Sequence, residues 1–248
     1  MVPPEPRSPD LLGSPPGSSG VWRRLLVVNV TVVAAYDLVF LAMIGEVVPP
    51  LLAGAVLTVL GVGLLPRFRR GGVAVLGSTS LLLLVATLPF VAAHLPHPSS
   101  PLDFTHAAVA LLGRTAAVLA AFGTWRQASP ALGRRVATLV VALLAVSLVV
   151  SGVAVIATMS ASEVAGDVVA ELADAAFPAS LTVPSGGAIH LDNRDRFRHT
   201  STVPDMSFGV EPPAMTIVRF TVDPAPGTPD VICDVPGRES MSAQLILE

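Results

Sequence analysis

Two sulfur-bearing side chains lie eight residues apart near the end of this 248-residue chain: Cys233 directly follows a short apolar run, and Met241 precedes the last one. Cys233 is the sole cysteine, which excludes an intramolecular disulfide and a cysteine-rich metal finger. A thiolate and a thioether are soft donors that, together with imidazoles, hold copper. This pair therefore supplies some of the donors that a copper site needs.

Two ionisable residues within apolar segments, Asp37 and Arg114, form a second candidate pair. At 1.5 Å per residue, Asp37 lies about 12 Å and Arg114 about 13 Å from the same end of their segments. An ionised group inside a membrane is costly and calls for a partner. The matched depth therefore predicts a buried ion pair that locks two helices, with a proton- or ligand-binding role, or no pairing at all, as the alternatives.

Three histidines, His94, His97 and His106, flank Asp103 where two apolar segments meet in a loop that contains Pro and Ser. Imidazoles and a carboxylate that lie close together can bind a divalent metal. Histidines in a loop at a membrane interface need no such role, and this is the alternative. None of the three lies at the middle of an apolar segment, which argues against a haem held by two histidines.

The apolar segments that carry these residues dominate the composition. The chain is 52% hydrophobic and 13% charged, with a mean hydropathy of +0.70, whereas soluble domains carry about 25% charged residues. Five near-continuous runs are each close to the ~20 residues that cross a bilayer: 25–45, 47–66, 72–95, 104–125 and 136–159. We predict a disordered Pro-, Ser- and Gly-rich tail over residues 1–20 and a five-helix transmembrane domain over residues 21–160.

The arginines predict the orientation of these helices, because cytoplasmic connections are rich in basic residues. They occur at alternate segment ends, at Arg23, Arg24, Arg67, Arg69, Arg70, Arg126, Arg134 and Arg135. The connections at Glu46 and across 96–103 contain none. This alternation predicts a multi-pass plasma-membrane protein with a cytoplasmic N-terminus and an extracytoplasmic C-terminal domain. The first run could instead be a signal peptide ending near Ala34 and Ala35, although it exceeds the usual apolar core of about 7–15 residues.

The charges divide the chain near residue 160. Residues 1–159 hold ten Arg and five acidic residues, and residues 160–248 hold five Arg and thirteen acidic residues. The formal net charge of −3 excludes a general binder of polyanions, so no nucleic-acid partner is expected. The chain has no nucleophile elbow, no zinc-protease motif and no glycine-rich nucleotide loop, so we do not expect an enzyme.

Residues 161–248 have the pattern of an extracytoplasmic β domain. Short apolar runs alternate with turns rich in Gly and Pro, which is typical of a sandwich or a Greek-key barrel. Seven strands are predicted, at 168–172, 180–183, 188–193, 200–203, 215–222, 231–233 and 243–247. Acidic residues at helical spacing make a helix over 163–176 the local alternative to the first strand.

Three motifs of this domain resemble those of the cupredoxins, the copper proteins that include azurin and plastocyanin. The run FPASLTVPSGG at 177–187 resembles the opening of small bacterial cupredoxin domains, where a first strand leads into a phrase of this type. The segment NRDRFRHT at 193–200 resembles the one that delivers the first copper histidine, and CDVPGRESM at 233–241 resembles the ligand loop. The resemblance covers about residues 164–248 and implies an all-β, cupredoxin-like Greek-key sandwich after the helical membrane bundle.

The resemblance also implies copper as the cofactor, with His199 as the first imidazole, Cys233 as the thiolate and Met241 as the weak axial ligand. Thr200 would then lie just outside the ligand shell. Arg238 stands where the family has its second histidine, and arginine only donates hydrogen bonds, so it cannot ligate copper. Inserting one histidine between Gly237 and Arg238 would restore the family spacing of both ligands.

The expected function is copper binding or one-electron transfer at the extracytoplasmic membrane face. The helices would tether the domain to the membrane lipid. The expected protein partners are respiratory or copper-handling membrane proteins. The sequence leaves three alternatives for the copper site. It is complete within this chain, or it is weakened, with water or an outside donor as the fourth ligand. In the third alternative, His190 or the loop histidines supply the missing ligand. The alternative is a copper-free interaction module or accessory subunit, in which Cys233 and Met241 pack in the core and His199 is merely hydrogen-bonded. A solute transporter has no supporting motif.

Overall fold

The computed structural model of the chain describes residues 19–44, 47–158, 164–184, 186–203, 208–222, 227–235 and 240–248. Most of the predicted tail, residues 1–18, lies outside the described residues. So do the predicted boundary near residue 160 and the position of Arg238.

Five helices precede the strands, as the apolar runs predict. They are α1 Ser19–Ile44, α2 Pro49–Leu64, α3 Arg69–His94, α4 Pro101–Arg126 and α5 Pro130–Thr158. Prolines stand in the first turns of α2 and α4, where the missing N–H costs nothing. The helix α4 is followed by its C-cap residue Gln127, whose φ of 52° turns the chain back toward α5.

Four of these helices, α1, α3, α4 and α5, are long and apolar enough to cross a membrane. The helix α2 has 16 residues. Its length is about 24 Å at 1.5 Å per residue, less than a hydrocarbon core of about 30 Å. A fifth crossing therefore remains a prediction.

The helix α4 lies at the centre of the bundle and packs against α1, α3 and α5. Its buried face consists mainly of small residues, which let neighbouring backbones approach closely: Ala107, Ala108, Ala110, Gly113, Ala116, Ala117, Ala120, Ala121 and Gly123. By contrast, α5 is mostly exposed and presents large apolar side chains outward.

The contact between Gly123 of α4 and Trp22 of α1 yields a test of this packing. A Cβ at Gly123 would lie 2.5 Å from the indole ring, whose N–H donates to the carbonyl of Ala128. Gly123→Ala is expected to lower the free energy of unfolding by about 1–3 kcal/mol, the usual effect of overpacking. Thermal melting in detergent measures this. Gly152→Ala is the control, because a Cβ there meets nothing within 4 Å; equal melting temperatures would contradict the prediction.

Within the described residues, eight strands follow the helices: β1 Val168–Leu172, β2 Ser180–Val183, β3 Ala188–Asn193, β4 Ser201–Val203, β5 Phe208–Val210, β6 Thr216–Thr221, β7 Asp230–Ile232 and β8 Ser242–Leu247. They form a three-stranded sheet of order β1-β3-β6 and a five-stranded sheet of order β2-β8-β7-β4-β5. The pairs β1–β3 and β2–β8 are parallel, and the others are antiparallel.

Both sheets contribute to one apolar core, so they pack face to face. Alternate residues of the strands point into it, as in Ala170 and Leu172 of β1 or Leu245 and Leu247 of β8. Cys233 and Met241 belong to the same buried cluster. The two sulfur-bearing residues thus lie at the margin of the core, each next to the end of a strand.

The structure contains the seven predicted strands with shifts of no more than one residue at their ends. Residues 168–172 form β1 in parallel with β3, so the helical alternative for this segment is wrong. The sequence analysis missed β5, Phe208–Val210. This strand has three residues with a central glycine, and so short a run carries no readable alternation.

Candidate metal centre

The pairing of β4 with β7 brings His199 and Cys233 together. Thr202 lies opposite Ile232, so the residues just before β4 lie beside those just after β7. Nδ1 of His199 is 3.8 Å from Sγ of Cys233, and both side chains are buried. Two donors bound to one metal at about 2.0 and 2.3 Å, with an angle of 110–120°, lie roughly 3.5–3.7 Å apart. The pair therefore fits one metal ion with little movement.

Asp195 orients the imidazole from the other side. Its Oδ2 lies 2.7 Å from Nε2 of His199 and also accepts the backbone N–H of Ala175 at 2.9 Å. A carboxylate only accepts hydrogen bonds, so Nε2 carries the proton and Nδ1 faces the thiol. A carboxylate behind a ligating imidazole increases its basicity and holds its ring orientation. The sequence analysis gave Asp195 no role, although its spacing of four residues from His199 was a visible signal.

Asn193 holds the loop that carries Asp195 and His199. It is fully buried, its Oδ1 accepts the backbone N–H of Asp195 at 3.0 Å, and its Nδ2 donates to the carbonyls of Pro212 and Pro213 at 3.0 and 2.8 Å. The backbone N–H of His199 donates to the same Pro212 carbonyl at 3.2 Å. Two loops, 194–200 and 211–215, are thereby joined around the imidazole.

Thr200 and Met241 complete the surroundings of Cys233. The hydroxyl of Thr200 accepts the backbone N–H of Asp234 at 2.6 Å, and the N–H of Cys233 donates to the carbonyl of Met241 at 3.2 Å. Met241 is buried in the same cluster as Cys233. The structure thus brings together His199, Cys233 and the segment that carries Met241.

The surroundings of Cys233 lower the pKa of its thiol. Burial raises its pKa, but its hydrogen bonds with His199, with the backbone of Thr200 and Val235 and with the Thr200 hydroxyl outweigh burial, so the pKa lies below its ordinary value. The thiolate is the form that binds metals. A cation that binds here displaces the proton of the Cys233 thiol.

The supplementary histidines lie elsewhere. His190 is on β3, in the other sheet, between Val169 and Arg219. In the helical part, Nδ1 of His97 lies 2.7 Å from Glu211, and His94 and His106 lie 3.9 and 3.8 Å from Asp103 and Asp37. Among the described residues, no group of three His, Cys, Asp or Glu side chains is arranged to hold a metal. The interpretation of the loop histidines as a joint metal site therefore finds no support.

The structure places Asp37 and Arg114 in contact within the bundle. Nη2 of Arg114 donates to Oδ2 of Asp37 at 2.8 Å, and Nη1 donates to the Thr87 hydroxyl at 3.1 Å. The ring of His106 stacks on Phe40, with centroids 3.9 Å apart, close to the free carboxylate oxygen. The ion pair thereby links α1, α3 and α4.

Arg198, the residue before His199, joins the β-rich part to the helices. Its Nη2 donates to the carbonyl of Ala93 at 2.8 Å and its Nε to Nδ1 of His94 at 3.3 Å, while Nη1 meets Glu211 at 3.1 Å. Its backbone N–H donates to Asp103 at 3.1 Å. The end of the sandwich that carries His199 is therefore the end that meets the α3–α4 connection.

His97 contacts the same Glu211 carboxylate as Arg198. Partial burial and the nearby Arg198 guanidinium lower the pKa of His97, and Glu211 only partly opposes them. Nδ1 of His97 lies 2.7 Å from Oε2 of Glu211, so both His97 and Arg198 contact the same carboxylate.

No family model and no curated protein matches the chain. Similarity is found among solved structures. Amicyanin from Paracoccus versutus is 16% identical over 35% of this chain and 86% of its own, with a TM-score of 0.31. An amicyanin variant in its reduced Cu(I) form at pH 4 is 18% identical over 36% and 87%, with a TM-score of 0.30. The Cu-containing nitrite reductase from Thermus scotoductus is 22% identical over 33% of this chain and 22% of its own, with a TM-score of 0.29. About a third of this chain is similar to each of these structures.

Proposed function

We propose that this chain is a membrane-anchored, cupredoxin-like protein that binds copper with His199, Cys233 and Met241 and relays single electrons. The observation that carries the proposal is the buried contact between Nδ1 of His199 and Sγ of Cys233, 3.8 Å apart. Its role is binding and electron relay rather than catalysis of a bond-changing reaction.

Each residue of the site has a distinct part in this function. Cys233 supplies a thiolate, His199 supplies a neutral imidazole whose far nitrogen is held by Asp195, and Met241 brings a thioether on the next segment. Copper, when bound, supplies a one-electron couple between Cu(I) and Cu(II). Soft sulfur donors favour Cu(I).

The proposed site is weaker than a complete type 1 copper site because it lacks a second histidine. Arg238 cannot take that place, and it lies outside the described residues. Water or a donor from another molecule is the proposed fourth ligand. A site of this kind suits copper that is received from and passed to a partner, since an open position admits the partner's own ligand.

The distribution of arginines supports a location of the β-rich part on the extracytoplasmic side of the plasma membrane. Membrane lipid and respiratory or copper-handling membrane proteins are the proposed partners. The Arg198 contacts favour a β-rich part that rests on the bundle over one that swings freely from it.

Titration of the purified full chain with Cu(I) and Cu(II) tests the proposal. We expect one bound copper per chain and a visible thiolate-to-copper band. Cys233→Ser should abolish the band and weaken Cu(I) binding by more than about 100-fold, beyond the 10–100-fold effect of a residue outside the ligand shell. Met241→Leu should weaken binding less. Met215→Leu, at an exposed methionine, is the matched control. Binding that survives Cys233→Ser would overturn the proposal.

A copper-free interaction module is the second candidate. It is favoured by the packing of Cys233 and Met241 within the apolar core and by the lack of a three-residue His, Cys, Asp or Glu cluster in the described part of the chain. The same titration separates the two functions, because the module binds no copper and its melting temperature does not respond to the metal.

A further inference from the structure

The guanidinium of Arg198 is buried, and it contacts residues from two separate parts of the molecule. It donates to Ala93 and His94 at the end of α3 and to Glu211 after β5. Burying a charge is costly unless it is paired and hydrogen-bonded. These contacts therefore require the helical end and the β-rich part to keep their relative position.

A second contact crosses the same boundary from the neighbouring loop. The backbone N–H of Ala214 faces the hydroxyl of Ser100 at 3.4 Å, and Ser100 is fully buried. Ala214 follows Pro212 and Pro213, whose carbonyls accept hydrogen bonds from His199 and Asn193. Both loops that frame the imidazole are thus also the loops that rest on the α3–α4 connection.

The chain connectivity makes the two roles interdependent. Arg198 and His199 share a peptide bond, so the backbone conformation that directs one side chain into the helical end directs the next toward Cys233. A loop that docking has already ordered loses less conformational entropy when its imidazole binds a metal. By reciprocity, a metal that orders His199 must strengthen the docking.

We propose that Arg198 is a positioning residue for the metal centre, which couples copper affinity to the docking of the β-rich part on the α3–α4 connection. The inference rests on the proposed copper function. It implies that a change in the packing of the helical end around Asp103 or His94 alters how tightly copper is held.

Copper affinity of full-length variants tests this coupling. Arg198→Gln should weaken Cu(I) binding about 10-fold or more, within the 10–100-fold effect of residues that orient ligands, and should shift the thiolate-to-copper band. Arg198→Lys keeps the charge without the planar fork and should fall between. Arg194→Gln is the control, because Arg194 lies in the same loop but is exposed and pairs with Asp192 and Glu171.

A variant on the helical side separates coupling from a purely local effect. Asp103→Asn lies outside the β-rich part, yet it should also weaken Cu(I) binding and raise amide hydrogen exchange at Arg198 and Ala214. Copper added to the wild type should slow exchange at the same two amides. A wild type that binds no copper would overturn the proposed function and this inference together. Normal affinity in Arg198→Gln and Asp103→Asn, with faster exchange at these amides, would overturn the inference alone.

Discussion

Asp37→Asn is expected to lower the free energy of unfolding of the helical bundle by about 3–5 kcal/mol, the usual cost of removing one partner of a buried ion pair. Arg114 would keep its charge within the bundle without a counter-charge, since its Nη2 now donates to Asp37 at 2.8 Å. Arg114→Gln should cost a similar amount by leaving the Asp37 carboxylate buried. Thermal melting in detergent measures both effects.

The double variant Asp37→Asn with Arg114→Gln should recover most of the loss. Two neutral amides in place of two charges remove the desolvation cost that the ion pair bears, and they can hydrogen-bond each other and Thr87. Recovery would therefore assign the loss in each single variant to the orphaned charge.

Asp174→Asn serves as the control for this double-mutant cycle. Asp174 is exposed in a turn with a φ of 54°, a conformation that asparagine tolerates well, so its melting temperature should not change. Wild-type melting temperatures in both single variants, or a double variant that is as unstable as the two losses added together, would contradict a coupled pair.

Insertion of a histidine between Gly237 and Arg238 is expected to produce the second large effect. It would place a histidine five residues and Met241 nine residues after Cys233, the spacing of the azurin type that the loop resembles. A second imidazole would complete the trigonal set of one thiolate and two histidines. We expect Cu(I) affinity to rise more than about 100-fold and the visible band to intensify. This change in affinity exceeds the 10–100-fold effect of a residue outside the ligand shell.

An alanine inserted at the same place is the matched control, because it lengthens the loop without adding a donor. It should leave the affinity unchanged or reduce it. Equal affinity and equal band intensity for the histidine and alanine insertions would show that the loop does not present position 238 to the metal.

The element pattern of the fold was largely predictable from local sequence. The strands β2 and β3 begin and end at the predicted residues, because alternating burial and the flanking turns are encoded within each segment. The helices were recognised from their apolar runs, but α1 begins at Ser19 and α5 at Pro130, each six residues before its run. Helical hydrogen bonding continues past the apolar stretch into polar ends, which hydropathy does not register.

The donors proposed for the candidate site came from the sequence, whereas the residues that hold them in place came from the structure. His199, Cys233 and Met241 came from a resemblance of short motifs. The roles of Asp195 and Asn193 depend on how two loops meet, and the partners of Arg198 in the helical part lie 95 to 105 residues away along the chain. Such pairings have no periodic signature, so local patterns do not reveal them.

By itself, the sequence determined that an apolar five-helix segment precedes an acidic β-rich one and that a thiol, a thioether and an imidazole stand at suitable intervals. Composition and periodicity encode these properties, because they act within a few residues. Only the tertiary structure decided that Nδ1 of His199 lies 3.8 Å from Sγ of Cys233 and that Arg198 ties this site to the helices. Such distances depend on strand pairing and packing between segments remote in sequence, and packing is a property of the whole chain.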